Sequence, residues 1–476
     1  MSPTTAPASK KERPNRNFDE NHSVFYAARQ ALRRHATGGN ILIAATVLAL
    51  VIANIPAVND LYFRFWTQEV RLQIGGFNLF SHDGHPMDLL AFINDALMAV
   101  FFFSIGLEIK REVLVGELSS IRQALLPIIG AVGGMAVPVL IFFLLSRGTD
   151  YSGGAAIPMA TDIAFSLGVL AMLGKRVPVS LKIFLTTLAV VDDIGGIIVI
   201  ALFYSGHIET MLLVYAAGCL GLLLLGSALH IKSKVFYLTL GGVVWFLFLN
   251  SGVHSTIAGV LVAFCVPATP VFAPQKYIQT IRRSIAHFRG EDDELLTQRT
   301  ILNRDQMNWL KQVESASDKV ISPLQDLEDS LHPVVNFFIL PLFAFANAGI
   351  FLLNMDPASI FEGISLAIIL GLVAGKLLGI FTFSWLAVKL RLAPMPAHSD
   401  WKMMASISML GGIGFTVSLF IATLSFDATA SPAMAALLDH AKLGIVTGSV
   451  LSGVLAYIWL HFTLPKGQAP DAVEED

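Results

Sequence analysis

Repeated apolar runs, each long enough to cross a lipid bilayer, are the feature of this 476-residue chain that most limits its fold. A spanning helix needs about 20 predominantly apolar residues. Charged residues make up only 14% of the chain, whereas a soluble domain carries about 25%. The sequence therefore predicts an all-α polytopic membrane protein with about twelve transmembrane helices. These lie at residues 41–58, 88–108, 122–145, 155–173, 181–204, 210–230, 235–251, 253–270, 334–353, 362–388, 404–425 and 437–461.

Lys and Arg residues are divided very unevenly between the loops on the two sides of the membrane. Only Arg64, Arg71 and Arg147 fall on one side, and most of the other Lys and Arg residues fall on the opposite side. Cytoplasmic loops of membrane proteins carry this excess, so both termini are predicted to be cytoplasmic. The formal net charge of −3, without a basic stripe, argues against nucleic-acid binding.

The segments outside the spans divide the chain further. Residues 70–80 alternate apolar and polar side chains around Gly75-Gly76, which predicts a small extracytoplasmic β-hairpin. Leu295, Leu302 and Trp309 recur every seven residues in a long polar connection, which predicts an amphipathic helix there. The predicted parts are a disordered cytoplasmic leader at 1–39, helices 1–8 at 40–271, the cytoplasmic connection at 272–332, helices 9–12 at 333–462 and a cytoplasmic tail at 463–476.

Ionisable residues inside the apolar runs are the strongest functional signal. They are Asp162, Asp192, Asp193 and Lys376, with Asp95 in the second run. A charged Asp at the centre of a spanning helix costs about 2.5–3.5 kcal/mol even on the mildest scale. Such residues mark ion or proton pathways in membrane proteins, although charge pairing that only holds helices together is the alternative.

Two of the predicted spans carry residues that interrupt a helix. Pro158 is expected to break the fourth span just before Thr161-Asp162, and the cluster Gly411, Gly412 and Gly414 weakens the eleventh. One broken helix in each half of the chain predicts a secondary transporter with inverted-topology repeats, in which the breaks cross at the bilayer midplane. The third to fifth spans would pair with the tenth to twelfth. At the crossing, Asp162 would offset amide ends of half-helices and Lys376 carbonyl ends.

Several long segments, in the same order, resemble motifs of the NhaA family of sodium/proton antiporters. They are "GLEIKREVLVGEL", "TDIAFSLGVLAMLG", "LAVVDDIGGIIVIA", "NSGVHSTIAGV", "LHPVVNFFILPLFAFANAG" and "GGIGFTVSLFIATLSF", and the resemblance extends from about residue 40 to 462.

The resemblance implies a specific activity and specific roles. It implies a multi-pass protein of the bacterial inner membrane that exports Na⁺ or Li⁺ in exchange for protons, two protons for each Na⁺, without a cofactor. Asp193 would be the main ligand of the transported Na⁺, Asp192 would help to bind it and pair with Lys376, and Asp162 and Thr161 would lie close by. The protein would lie in the lipid bilayer, and a homodimer would form through the 70–80 hairpin on the outer face.

Activation at alkaline pH is a further implication of the resemblance. The candidate pH-sensing residues are Glu108, Arg111, Glu112, His254, Glu328 and His332, with Lys110 and Glu117 nearby. An ordinary charged helix end is the alternative for the group around Glu108. Asp329 replaces a histidine that is usual in the family.

Burial disfavours the charged form of a carboxylate, whereas a nearby Lys⁺ or bound Na⁺ favours it. A site of this kind would hold either Na⁺ or protons. The alternatives are a proton-coupled carrier of another solute, an ion channel and an intramembrane aspartyl protease. The Gly-x-Gly-Asp sequence usual in such proteases is missing, because Gly195-Gly196 follow the Asp pair.

Overall fold

A computed structural model of the chain describes its membrane region and part of the connections. The described residues are 38–74, 77–78, 80–82, 85–206, 208–269, 277–279, 281–283, 304, 307–311, 313, 321–352 and 357–465. Most of the predicted leader, most of the predicted amphipathic helix in the 272–332 connection, and the tail after Pro465 lie outside these residues.

Helices make up almost all of the described chain. In chain order they are α1 (Gly38–Ala53), α2 (Asn59–Trp66), α3 (Leu89–Leu114), α4 (Ile121–Leu145), α5 (Ile163–Leu173), α6 (Val179–Phe203), α7 (Thr210–Ala228), α8 (Lys234–Leu249), α9 (Ser255–Cys265), α10 (Pro323–Asn347), α11 (Gly363–Lys389), α12 (Trp401–Leu410), α13 (Phe415–Ser425) and α14 (Pro432–Thr463). Short 3₁₀ segments cover Glu117–Ser119, Ser152–Met159, Gly174–Arg176 and Pro357–Phe361.

Length and apolar composition qualify eight of the described helical segments as membrane spans, or nine when the bent pair α12–α13 is taken as one. This agrees with a polytopic membrane protein. Three further apolar helices, α1, α8 and α9, have 16, 16 and 11 residues and are shorter than the roughly 20 residues of a full span. The count of twelve spans therefore stays a prediction.

Four two-residue strands lie between α2 and α3. Gln73–Ile74 pairs antiparallel with Phe77–Asn78, and Ser81–His82 pairs antiparallel with His85–Pro86. The turn residues Gly75 and Gly76 lie outside the described residues, so the hairpin as a whole stays a prediction.

Both interruptions that the sequence indicates are present. The 3₁₀ segment ends at Met159, residues 160–162 are not helical, and α5 begins at Ile163. Pro158 has no amide hydrogen to donate, which explains why regular α-helix does not run through this point. In the other half of the chain, residues 411–414 separate α12 from α13, and the two axes differ by 43°.

Glycines allow unusually close packing of α4 against α11. A Cβ on Gly379 of α11 would collide with the backbone of Gly133 of α4, and a Cβ on Gly375 would lie 2.8 Å from the Pro138 Cα. Small residues at such contacts let helix backbones approach each other within a membrane. The contact also fixes Lys376, which directly follows the π-helical turn Gly371–Gly375.

Candidate functional site

Asp162 lies where the two interruptions meet. Its Oδ1 accepts a hydrogen bond from the Phe165 amide in the first turn of α5 (2.9 Å). Its Oδ2 accepts from the Thr416 amide (3.1 Å) and the Thr416 hydroxyl (2.6 Å) at the start of α13. The N-terminus of a helix carries about half a positive charge. One buried carboxylate thus faces the amide ends of two half-helices.

The carbonyl groups at the end of α12 are bonded to the other broken helix. The Asp162 amide donates to Ile413 O (2.6 Å), the Thr161 hydroxyl to Gly411 O (2.8 Å) and the Ser166 hydroxyl to Leu410 O (3.2 Å). Unpaired backbone groups are costly away from water, and these bonds satisfy three of them. The sequence predicted that Lys376 offsets the charge of these carbonyl ends. The direct hydrogen bonds come from two hydroxyls and one amide, and Lys376 donates to one of those hydroxyls, that of Thr161, so the charge-compensating role stays a prediction.

Lys376 pairs with Asp192. Its Nζ lies 2.6 Å from Asp192 Oδ2 and donates a second hydrogen bond to Thr161 Oγ1 (3.0 Å). Both side chains of this ion pair are fully buried. Asp192 Oδ1 is buried as well and accepts no hydrogen bond from the residues that the structure describes, so within them the pair leaves one carboxylate oxygen unsatisfied.

Asp193 points in a different direction from its neighbour, because consecutive helical residues are about 100° apart. It lines a cavity of about 360 Å³ together with Asp162, Thr161 and Glu108; we call this the site cavity. None of the residues that the structure describes hydrogen-bonds to the Asp193 carboxylate or forms an ion pair with it. A buried carboxylate without a protein partner is available to a proton or a cation.

Five of the six candidate pH-sensing residues lie near the end of the site cavity that is formed by the last turns of α3 and the first turns of α10. Glu108 and His332 line the cavity. Arg111 Nε lies 2.8 Å from Glu328 Oε1, an ion-pair contact without hydrogen-bond geometry, and Arg111 Nη2 lies 3.3 Å from Glu112 Oε1. The Arg111–Glu328 contact joins α3 to α10.

His254 is separate from this group. It lines a second cavity of about 810 Å³, which we call the far cavity, together with Asp95. His254 Nε2 lies 3.9 Å from Asp95 Oδ1, and the Ser255 hydroxyl donates to the same oxygen (3.0 Å). His254 also caps α9, since its ring nitrogen accepts from the Thr256 amide.

Thr416 is the site residue that the sequence reasoning missed. It gives Asp162 two of its three hydrogen bonds and lines the site cavity. A polar residue two positions after the weak helical turn at Gly411–Gly414 was the available signal. The described residues contain no group of three or more His, Cys, Asp or Glu side chains placed to hold a metal ion.

The sequence is similar to a known protein family and to several of its members. Residues 29–460 match the family model described as "Na+/H+ antiporter 1". The chain is 55% identical over 450 residues to the Na(+)/H(+) antiporter NhaA of Phocaeicola vulgatus, covering 94% of this chain and 98% of that protein. It is 53% identical over 431 residues to the protein of the same name from Bacteroides fragilis, covering 90% and 96%. It is also 42% identical over 437 residues to the protein of the same name from Syntrophobacter fumaroxidans, which covers 90% of this chain and 89% of that protein.

Proposed function

Because the chain belongs to the NhaA family of Na⁺/H⁺ antiporters, we propose that it exchanges Na⁺ for protons by loading both on the same buried carboxylates. Asp193 is the main ligand and Asp192 contributes its unsatisfied oxygen. Carboxylate oxygens suit a hard cation such as Na⁺. Na⁺, Li⁺ and protons are the transported ions.

The observation that carries this proposal is the contrast between the two neighbouring aspartates. Lys376 occupies one oxygen of Asp192, whereas Asp193 faces the cavity with no described partner. An unpaired buried carboxylate is unfavourable, and it becomes neutral by binding either a proton or a cation. Alternating occupancy couples the two ions without a separate device.

Asp162 has a different part in this scheme. Thr416 and Phe165 already give it three hydrogen bonds, so it stabilises the meeting point of two helix N-termini beside the ion site. Thr161 ties Lys376 to the opposite break. We propose that Asp162 and Thr161 shape the site and lie next to the ion. Asp193 and Asp192 bind Na⁺ and protons in turn.

The orientation follows from the charge distribution. Gly38 at the start of α1 and Glu108 near the end of α3 line the site cavity, and both belong to the Lys/Arg-rich side of the chain. We propose that this side is cytoplasmic, with both termini inside a bacterial inner membrane, and that the site cavity faces the cytoplasm. The far cavity then faces outward.

Movement would be the rocking of one helix bundle against another around a fixed site. The two breaks, one in each half of the chain, support inverted repeats within a twelve-helix arrangement that includes α1, α8 and α9. Two protons enter for each Na⁺ that leaves, so a positive charge moves inward. A membrane potential then contributes about 2.3 kcal/mol per charge per 100 mV toward Na⁺ export.

The network of Arg111, Glu112 and Glu328 supports regulation by pH. It links α3 to α10 at the mouth of the site cavity, where Glu108 and His332 also lie. We propose that this contact between α3 and α10 changes with pH, alters access to the site and activates exchange at alkaline pH.

An ion-specificity assay tests the function. In everted or reconstituted vesicles, Na⁺ or Li⁺, but not K⁺, is expected to collapse an imposed pH gradient, more rapidly at alkaline pH and at a rate that depends on membrane potential. Protein-free vesicles are the control. Sodium uptake without opposing proton flux at any alkaline pH would exclude the proposal, and collapse by an organic solute would favour a proton-coupled carrier.

We also propose a homodimer that forms through the predicted hairpin at residues 70–80. An edge strand can pair with a copy of itself. Deletion of residues 70–80 is expected to shift the protein in detergent from dimer to monomer, as measured by light scattering coupled to size-exclusion chromatography. A deletion variant that elutes as an unchanged dimer would exclude this contact.

A further inference from the structure

A further cavity lies between α4, α6 and the loop at Pro394–Ala397, on the Lys/Arg-rich side of the chain. It has a volume of about 310 Å³, and we call it the seam cavity. Glu117 and Arg122 line it beside the start of α4, and Ser180 lines it in the first turn of α6. None of its lining residues also lines the site cavity, so the described residues enclose two separate spaces on this side.

The seam cavity extends along α6 toward the aspartate pair. Its lining runs from Ser180 to Thr187, seven residues later, which is about 10 Å along the axis. Thr187 is only 3% exposed, and its hydroxyl has no hydrogen-bond partner within the described part of the chain. Its neighbour Thr186 lines the site cavity, so α6 separates the two spaces. Asp192 follows Thr187 by five residues, about 7.5 Å further along α6.

Ser384 of α11 lies between the seam cavity and Asp192. A Cβ on Gly130 of α4 would lie 2.9 Å from Ser384 Oγ and 3.3 Å from Leu188 Cδ1, so this hydroxyl lies where α4, α6 and α11 meet. The next contact of the same point is Phe184, at 3.6 Å, which lines the seam cavity. Leu188 is one helical turn before Asp192 on the same face of α6.

Two buried oxygen atoms along this line are unsatisfied. Ser384 has no exposed surface, and its Oγ has no hydrogen-bond partner among the residues that the structure describes. The same holds for Asp192 Oδ1. Buried polar groups are normally hydrogen-bonded, and water is the usual partner where the protein offers none. Both atoms therefore suit a short chain of water molecules that joins the seam cavity to the Lys376–Asp192 pair.

The same passage does not suit a cation. Around Ser384 its walls are Leu188, Phe184 and Gly130, and the first two are 1% and 3% exposed. An ion that loses its hydration shell needs several oxygen atoms to replace it, and these side chains supply none. A proton needs only a chain of hydrogen bonds, because it passes from one oxygen to the next.

We propose that the junction of α4, α6 and α11 is a proton route between the cytoplasm and the Lys376–Asp192 pair, with Ser384 as its relay, whereas Na⁺ uses the site cavity. The inference rests on the proposed Na⁺/H⁺ exchange. When Na⁺ binds, the O–H bond of the Asp192 carboxyl group breaks and the proton passes to a bridging water molecule. Ser384 Oγ accepts a proton from that side and gives its own to water in the seam cavity, so the serine is unchanged.

Ser384→Ala removes the relay hydroxyl and tests the route in reconstituted vesicles. Two rates are compared: Na⁺-driven proton exchange, and exchange of ²²Na⁺ for unlabelled Na⁺, which needs the ion site and the rocking movement but no proton release. Na⁺/H⁺ exchange should slow by about tenfold or more, because positioned proton-transfer groups contribute at least that much. Its solvent deuterium isotope effect should rise, and ²²Na⁺ exchange should not change.

Variants of matched shape separate the hydroxyl from its packing. Ser384→Thr retains the hydroxyl and should exchange Na⁺ for protons much faster than Ser384→Val, which has the same shape without it. Thr187→Val should also slow only the proton-coupled rate, and it keeps the test valid if the Ser384 variants fail to fold. Ser406→Ala is the control, since Ser406 is fully buried on α12 and its hydroxyl bonds Lys402 O within its own helix (2.8 Å). Both of its rates should be normal.

Three outcomes contradict the inference. Folded Ser384→Ala and Thr187→Val proteins with normal Na⁺/H⁺ exchange would show that protons do not use this route. Equal slowing of both exchanges would show that the hydroxyl only maintains packing, and so would a Ser384→Thr protein as slow as Ser384→Val. Failure of the proposed function would look different, because the unchanged protein would then show no Na⁺-driven proton exchange.

Discussion

Asp193→Asn is expected to reduce Na⁺-driven proton exchange to the level of protein-free vesicles. The amide has nearly the shape of the carboxylate but carries no charge, so it can neither neutralise Na⁺ nor release a proton. Because the Asp193 carboxylate has no described hydrogen-bond or ion-pair partner, the substitution leaves no buried partner unsatisfied. Folding should therefore be retained. Dye-monitored pH gradients in reconstituted vesicles provide the measurement, with size-exclusion profiles as a check on folding.

Asp400→Asn serves as the control for this variant, because Asp400 is exposed and its side chain does not cap α12. Its exchange rate should match that of the unchanged protein. Asp192→Asn should also abolish exchange, but it removes the ion-pair partner of Lys376 and tests two effects at once. Exchange at the normal rate in both aspartate variants would refute the assignment of the site.

Lys376→Met is expected to destabilise the protein by about 3–5 kcal/mol, the usual effect of removing one partner of a buried ion pair. Met fills a similar volume without the charge. Asp192 would then lie fully buried with neither oxygen bonded to a cation, since among the described residues its Oδ1 has no hydrogen-bond partner even in the intact pair. Denaturation in detergent, followed by intrinsic fluorescence, measures the loss.

The double variant Asp192→Asn/Lys376→Met separates the charge from the packing. With both charges removed, a large part of the lost stability should return, because neutral replacements of a buried pair are often tolerated. Exchange should stay absent. A Lys376→Met protein as stable as the original would mean that the Lys376–Asp192 contact does not carry this energy.

The breaks in the two helices could be predicted from local rules. Pro158 cannot donate a hydrogen bond, and three glycines within Gly411–Gly414 weaken a helix, so each interruption follows from its own few residues. The buried charges could also be predicted from the sequence, because four ionisable residues lie within runs that are otherwise apolar.

Which partner each charge takes could not be derived from local sequence. The bonds between Asp162 and Thr416 join residues 254 positions apart, and no periodicity encodes such a contact. The Lys376–Asp192 pair entered only through the family resemblance. Lys376 was assigned to carbonyl ends because a helix terminus is a local feature, whereas the position of Asp192 depends on how α6 and α11 pack.

Helix ends were the other feature that hydropathy could not locate. The apolar run at 253–270 contains a helix of only 11 residues, Ser255–Cys265. His254 caps its start, and Lys110 Nζ bonds the carbonyls of Phe264 (2.7 Å) and Val266 (2.5 Å) at its end. Helix caps depend on specific side chains, and one of these comes from a distant helix. The mean hydropathy of a window does not identify such side chains.

Competition between Na⁺ and protons for the aspartate pair is the central claim, and Na⁺ binding to the purified protein as a function of pH tests it most directly. Isothermal titration in buffers of different ionisation enthalpy reports both the affinity and the protons released. We expect protons to be released on Na⁺ binding, and the apparent dissociation constant to rise by up to about tenfold per displaced proton for each unit of acidification. A dissociation constant that stays constant with pH, with no proton release, would contradict the account.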